Sequence, residues 1–378
     1  MANAEMILKD LLVLELASVL AGPSVGQFFA ELGAKVIKVE NAATNGDVTR
    51  TWKLSTEPAN TDTPAYFCAA NWGKTSLALN LTHKHDLQKL YNLVKQADLV
   101  IASYKPGDAE KLKVDYDTLA SINPRLIYGH ITGYGPDDSR AGYDAVVQAE
   151  SGFMYLNGET NGPPTKMPVA LMDILTAHQL KEGLLLALLQ RDRTGEGQLV
   201  QVSLLGAAVS ALANQATAYL VAGQEPCRMG SEHPTIVPYG SVYTTKDQKQ
   251  LVLAIGDDRQ FRRLCAILGS PELADNPKYK NNLCRVQNRQ DLKSILSNLI
   301  FGREREELVI ELHRQHVPAG AVNTIRDVFC MPQAQQMLLH AEGVKPGIRQ
   351  VAFRLAGQQL PELSPPPAYP DTIESPKV

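Results

Sequence analysis

Leu11–Leu16 (LLVLEL), Pro23–Leu32 (PSVGQFFAEL), Gly33 and Val36–Glu40 (VIKVE) read in order as a strand, a helix, a helix stop and a second strand. The outer pieces are short apolar runs of strand length. The middle piece carries Phe28, Phe29 and Leu32 at helical spacing before Gly33 ends it. The alternation continues with a helix near His85–Gln96, a strand at Leu99–Ala102, a helix near Tyr116–Ile122 and a strand at Leu126–Ile131. This order predicts an α/β fold with a Rossmann-like parallel sheet covered by helices. Ligands of such sheets sit beyond the carboxyl ends of the strands. The dinucleotide fingerprint is nevertheless missing. Ala21-Gly22-Pro23-Ser24-Val25-Gly26 stands where GxGxxG would, so Glu40 at the end of the second strand is half a signal for a nicotinamide cofactor. No GxxxxGK[ST] loop for ATP occurs either.

Composition narrows the class. The chain has 378 residues, which suits two domains or one large domain with an insert. A net charge of −3 and 6% aromatic residues give no footprint for nucleic acid. The five cysteines are scattered, odd in number and free of CxxC spacing, so they imply reduced thiols and no zinc or other metal site. No apolar stretch reaches membrane-spanning length, and Met1–Glu5 lacks the features of an export signal. The expected location is cytoplasmic, with no membrane and no nucleic acid as partner.

Farther along, the apolar run Pro168–Met172 delivers Asp173 to the start of a helix that continues to Leu189. A carboxylate in a first helical turn is ordinarily a cap. It also feels the positive end of the backbone dipole, which favours its ionised form. A turn at Gly195–Gly197, a strand at Gln198–Leu204 and a helix near Ala207–Leu220 follow. At Gly223 the texture changes. Tyr239–Thr245 and Gln250–Ile255 look like an antiparallel hairpin, and helices near Arg259–Leu268, Arg289–Leu299 and Arg305–His316 complete an α+β unit. Past Asn323 a helix leads into a proline-rich, largely irregular tail, Pro361 to Pro370-Asp371-Thr372. The expected division is a large domain of residues 1–222 completed by 326–378, and a small one of 223–325.

Several segments taken together resemble the family III CoA-transferases, a group that includes formyl-CoA and carnitine CoA-transferases and is related to the α-methylacyl-CoA racemases. They are Leu20–Pro23 with Glu31–Glu40, Asn71–Leu77, Tyr104–Gly107 with Lys111-Leu112, Arg193–Gln198 and Val317–Gly320. The resemblance puts the family's catalytic aspartate on Asp173. It implies an aspartyl-CoA thioester, with CoA moved from an acyl-CoA to a carboxylic acid and no need of ATP or metal. Backbone N–H groups at the Asp173 helix start and the loop after Ile255 are candidate oxyanion donors.

Gly142-Tyr143-Asp144 stands where the related racemases carry a histidine. Tyrosine, with an ordinary pKa of about 10, is a poor base at neutral pH, which favours transfer over racemisation. Tyr143, Asp144 and Asp173 are the candidate catalytic group. An acyl-CoA racemase and a non-catalytic CoA-binding protein are the alternatives.

Carried over position by position, the resemblance assigns Ser18, Val19, Leu20, Ala21, Lys74, Ser103, Tyr104, Lys111 and Leu112 to CoA. Leu20 replaces a glutamine of the formyl-CoA transferases, and Asn41 stands where an arginine can contact the nucleotide, which disfavours formate or oxalate. Gly230–Tyr239 resembles a segment of members that use succinyl-CoA and other dicarboxylates. Arg50, His233, Tyr239 and Gly256 are the candidate substrate-binding residues. Gly256 is the single glycine in a region where many relatives carry a glycine-rich lid. The resemblance also implies ring-shaped subunits interlocked as a homodimer.

Overall fold

The computed structural model describes residues 6–370. Met1–Glu5 and the Asp371-Thr372 end of the tail lie outside the described residues. The chain divides into two compact units. Among the described residues, one comprises 6–153, Lys166–Gln224 and 336–370; the other comprises Met154–Thr165 and Glu225–Gln335. The second unit thus takes in a short excursion, 154–165, that the sequence did not mark, and it ends at Gln335 rather than 325.

In the first unit the order is β1 (Leu12–Leu16), α1 (Ala21–Glu31), β2 (Lys35–Asn41), α2 (Ala65–Cys68), β3 (Lys74–Leu79), α3 (Lys84–Val94), β4 (Leu99–Ala102), α4 (Asp108–Leu112), α5 (Tyr116–Ile122) and β5 (Ile127–Thr132). Then come α6 (Asp144–Glu150), α7 (Phe153–Leu156) where the chain leaves the unit, α8 (Leu171–Thr194), β6 (Leu199–Ser203), α9 (Leu204–Ala211) and α10 (Ala213–Ala222). The six strands pair in parallel in the order β3-β2-β1-β4-β5-β6. The order reverses between β1 and β4, which is where a sheet of this type opens a crevice for ligands.

Successive residues of β1 feed opposite faces of the sheet. Val13 joins Val25, Phe29, Leu180 and Leu184 beneath α1 and α8, while Leu14 joins Ile37, Leu90, Val94 and Leu119 beneath α3 and α5. With both faces covered, even Glu15 is fully buried. The edge strand β3 was not legible as a strand. Its first half, Lys74-Thr75-Ser76, is polar, and only Leu77-Ala78-Leu79 is apolar.

Helix α8 lies close on the sheet because Gly183 has no side chain: a Cβ there would meet Val200 Cγ1 at 2.6 Å. Gly183→Ala gains about 1 kcal/mol of helix propensity but forces a stiff β-branched neighbour to move, at about 1–3 kcal/mol. A net loss of stability in denaturant unfolding is the expected result. A stabilised variant would show that α8 lifts off the sheet at little cost.

The expected single helix over Ala207–Leu220 is instead α9 and α10, bent by 70° where Ala213 adopts φ 44°. No glycine or proline marks that break. No single helix among the described residues is long and apolar enough to cross a membrane.

The second unit contains β7 (Tyr239–Thr244), β8 (Gln250–Ala254), α11 (Asp258–Ile267), α12 (Asn282–Gln287), α13 (Arg289–Phe301), α14 (Arg305–Arg314), β9 (Ala319–Ala321), α15 (Ile325–Phe329) and α16 (Pro332–Gln335). β7, β8 and β9 form an antiparallel sheet packed on Phe261, Leu264, Leu296 and Leu308. Back in the first unit, β10 (Leu338–Ala341) and β11 (Val344–Ile348) form a hairpin, and Trp72 is buried with Leu339 and Leu363. This hairpin replaces the irregular chain expected past Asn323. Gly343, with φ 71°, was the available turn signal.

Candidate active site

A helix that follows a parallel strand starts at that strand's carboxyl end, and α8, which leads from β5 to β6, brings Asp173 there in its first turn. The capping role expected of Asp173 belongs to another residue. The N–H of Met172 donates to Asp144 Oδ1 at 2.7 Å, so the helix start is satisfied by a carboxylate from α6. Asp173 itself is half-buried, and no described residue donates a hydrogen bond to its carboxylate. Burial first, and the charge of Asp144 second, push its pKa up to about 7. The helix dipole alone would hold it ionised. Desolvation and a like charge outweigh that dipole here.

Asp144 sits at the first position of α6, immediately after Tyr143. Both its oxygens are engaged, Oδ1 by Met172 and Oδ2 by Gln148 Nε2 at 2.6 Å. It is held as a structural acceptor. Tyr143 is 66% exposed. A residue that the sequence did not flag is Tyr66 on α2. Burial, then the charges of Asp173, Asp144 and Asp47, raise its pKa, and its ring meets Trp52 edge-on at 4.9 Å. Nothing in Ala65-Tyr66-Phe67 sets it apart in the sequence.

Beyond the carboxyl ends of β1 to β4 lies a cleft of about 390 Å³. Ser18, Ser103, Tyr104 and Leu112, all expected to meet CoA, line it, together with Lys38, Glu40, Asn41 and Asp47. Burial pushes the Tyr104 hydroxyl up to about 12. Val19 next to Ser18 holds φ 71°, a strained conformation for a β-branched residue. Its N–H points at Asp47, 3.3 Å from Oδ2. Leu20 and Ala21 follow at the start of α1.

One expected lysine is occupied elsewhere. Lys74 Nζ is buried and donates to Glu15 Oε2 at 2.6 Å, Pro23 O at 2.8 Å and Asn71 Oδ1 at 2.9 Å. Burial pulls its pKa down to about 8 against the attraction of Glu15. Three acceptors require all three N–H bonds, so the ammonium form is held and none is left for a phosphate. Lys38 is consumed in the same way by Glu15, Asp47 and Ala17 O, each at 2.9 Å. Lys111 is exposed and paired with Asp108 at 2.8 Å, a solvated contact that a phosphate can displace.

Arg50 is likewise no free receptor. Its Nε and Nη2 grip Glu40 at 2.8 and 2.5 Å, while Nη1 and Nη2 donate to Asp62 O and Pro367 O. The guanidinium lies 3.9 Å from the centre of the Phe67 ring. All five donors are used. Glu40, the acid at the end of the second strand, is in turn filled by Arg50, Ser76 and the Asp47 N–H.

In the second unit, Thr235 N donates to His233 Nδ1 at 3.2 Å, so neutral His233 carries its proton on Nε2. Its ring meets Tyr239 edge-on at 5.3 Å. Arg289, Asn282 and Arg285 hold the carbonyls of residues 233, 234, 235 and 237, which fixes this loop. The Gly256 N–H is tied to Gln260 Oε1 at 2.7 Å, and Asp257 caps α11. Of the expected oxyanion donors at α8, Leu171 N and Ile174 N bond to Val169 O and Ala170 O and Met172 N to Asp144. The N–H of Asp173 is the one left over among them. No cluster of three or more side chains able to hold a metal occurs among the described residues.

Comparison with known proteins bears on this arrangement. The chain is 40% identical over 361 residues to a succinate–glutarate CoA-transferase of Agrobacterium fabrum, covering 92% of this chain and 90% of that protein. It is 36% identical to the human succinyl-CoA:glutarate CoA-transferase, covering 95% and 83%. A crystal structure of a CAIB/BAIF family protein from Brucella suis superposes with a TM-score of 0.83 at 40% identity, covering 94% of each chain. The family model for CoA-transferase family III matches residues 8–372. The chain therefore belongs to CoA-transferase family III and is a CoA-transferase.

Proposed function

We propose that this enzyme moves CoA from succinyl-CoA or a similar dicarboxylyl-CoA to a carboxylic acid acceptor through a thioester on Asp173. The carrying observation is a half-buried carboxylate in a first helical turn, unclaimed by any hydrogen bond among the described residues and pushed up to about 7 by burial and Asp144. A desolvated carboxylate of this kind is mostly ionised just above neutral pH, and little solvation blunts its attack. An Asp173 oxygen attacks the thioester carbonyl, the C–S bond breaks, and CoA thiolate leaves a mixed anhydride behind. The thiolate then attacks the Asp173 acyl carbon and releases the donor acid. The acceptor carboxylate reverses the sequence. Asp173 N–H, left over at the α8 start, is the candidate donor to the tetrahedral oxyanions.

Substrate choice is supported by the names of the relatives, which act on succinyl-CoA, succinate and glutarate. Self-association is supported by the exposed apolar side chains Leu186 and Leu189 on α8 and Tyr219, Leu220 and Val221 on α10. Light scattering should report a dimer. Five free cysteines support a reducing, cytoplasmic setting.

Mass spectrometry of protein mixed with succinyl-CoA and no acceptor tests the reading: CoA should appear bound at Asp173, and its absence there rejects the scheme. The rate of transfer should rise with pH through about 7, because the ionised form attacks. Below that pH it should fall about tenfold per pH unit. A flat profile between about pH 5.5 and 8.5 would contradict the assigned nucleophile.

A further inference from the structure

Gln148 is fully buried on α6, one helical turn beyond Asp144. Its Oε1 accepts from Met167 N at 2.9 Å, and its Nε2 donates to Asp144 Oδ2 at 2.6 Å. The other Asp144 oxygen accepts from Met172 N at 2.7 Å. These bonds form one chain of contacts from the backbone at 167, through two side chains, to the backbone at 172. The bridged segment, Met167–Met172, is the lead-in to Asp173.

Gln148 Nε2 also reaches Met167 O and Val169 O, each at 3.5 Å, so the amide nitrogen has acceptors only on that side. A backbone N–H can only donate, so Met167 fixes which end of the Gln148 amide faces it, and the amide nitrogen must then face Asp144. The carboxylate is acceptor-only and completes the circuit at Met172. Neither amide flip nor rotation offers an equal alternative. Both ends of the lead-in segment are therefore held, at Met167 and at Met172 beside Asp173.

We infer that Gln148 and Asp144 form a clasp that aims the Asp173 carboxylate, Gln148 acting as a positioning residue with no contact to substrate. The inference rests on Asp173 being the nucleophile. A misaimed nucleophile lowers the chemical step, because attack needs near-contact distance and alignment. It leaves acyl-CoA binding largely intact, since neither residue lines the cleft at β1 to β4.

Exchange of the two functional groups tests this. Asp144→Asn alone sets the introduced amide nitrogen against Gln148 Nε2, and a flip of Gln148 to relieve this breaks the bond to Met167. Gln148→Glu alone sets two carboxylates against each other. In the double variant the amide nitrogen at position 144 donates to the carboxylate at position 148. That carboxylate still accepts from Met167 N, and the amide oxygen at position 144 still accepts from Met172 N. Each single change should lower kcat by about 10- to 100-fold with KM for acyl-CoA changed less than about threefold. The double variant should run at least about tenfold faster than the product of the two single losses, although its charge now sits at a fully buried position and faces the carbonyls of Met167 and Val169 that Gln148 Nε2 served.

Three results overturn the clasp: single variants as fast as the parent, a double variant as slow as the product of the singles, or a double variant that does not fold. The thioester assay on the parent protein separates the two claims. No CoA on Asp173 removes both. CoA on Asp173 with an unrescued double variant removes only the clasp.

Discussion

Asp173→Asn is expected to abolish CoA transfer while making the folded protein more stable. The loss follows from chemistry: an amide is not a nucleophile toward a thioester, so kcat should fall by about 10⁴-fold or more. The gain follows from the folded-state pKa of about 7 against an ordinary 3.8. A carboxylate with a raised pKa binds its proton more tightly in the folded chain, so stability declines as pH rises from about 4 to about 7 and stays lower above. Asparagine carries no charge to desolvate. The difference between the two pKa values sets a ceiling of about 4 kcal/mol, and partial exposure reduces it to about 1–3 kcal/mol at about pH 8. Denaturant midpoints at about pH 8 and pH 5 check the sign: the advantage of Asp173→Asn should shrink as pH falls toward about 4. Transfer at the parent's rate would reject the nucleophile, and equal stability at the higher pH would reject the buried charge.

The parts of this site that the sequence disclosed are those with local signals. The strands Leu12–Leu16, Lys35–Asn41 and Leu99–Ala102 and their covering helices announce themselves through short apolar runs and helical spacing. The place of Asp173 at a helix start was legible for the same reason. Its role came from resemblance, because an aspartate in a first turn is by default a cap. What was not legible depends on contacts distant in the chain. Asp144 takes over the capping at a separation of 28 residues, and no periodicity records that. Lys74 and Arg50 looked like free cations because their partners, Glu15 and Glu40, lie in other strands or segments. A clue was nevertheless present. A parallel sheet covered on both faces buries every residue of its inner strands, so Glu15, Lys38 and Glu40 within LLVLEL and VIKVE had to be buried charges that demand partners. Following that demand would have reassigned both cations.

Arg50→Ala is expected to destabilise the first unit by about 3–5 kcal/mol, the cost of leaving a buried carboxylate unpaired. Glu40 loses two charge-assisted bonds, the carbonyl oxygens of Pro367 and Asp62 lose the guanidinium that donates to them, and the Phe67 ring loses its cationic cover. Arg50→Lys should recover little, since an ammonium cannot reproduce the fork that reaches both Glu40 oxygens and the carbonyls. Burial alone would raise the pKa of Glu40, but Arg50 and Lys38 hold it below its ordinary value. A depressed carboxylate lends stability that is present above its unfolded pKa and lost as pH falls through the folded one. The gap between parent and Arg50→Ala should therefore narrow in acid. Kinetics separate this role from substrate recognition. A structural arginine, once the variant is assayed below its melting range, changes KM for dicarboxylyl-CoA and monocarboxylyl-CoA esters alike. An arginine that gripped a distal carboxylate would raise KM for the dicarboxylyl ester alone and leave unfolding unchanged. That second pattern would require Glu40 to release Arg50 when substrate arrives, and the pairing of all five donors argues against such a release.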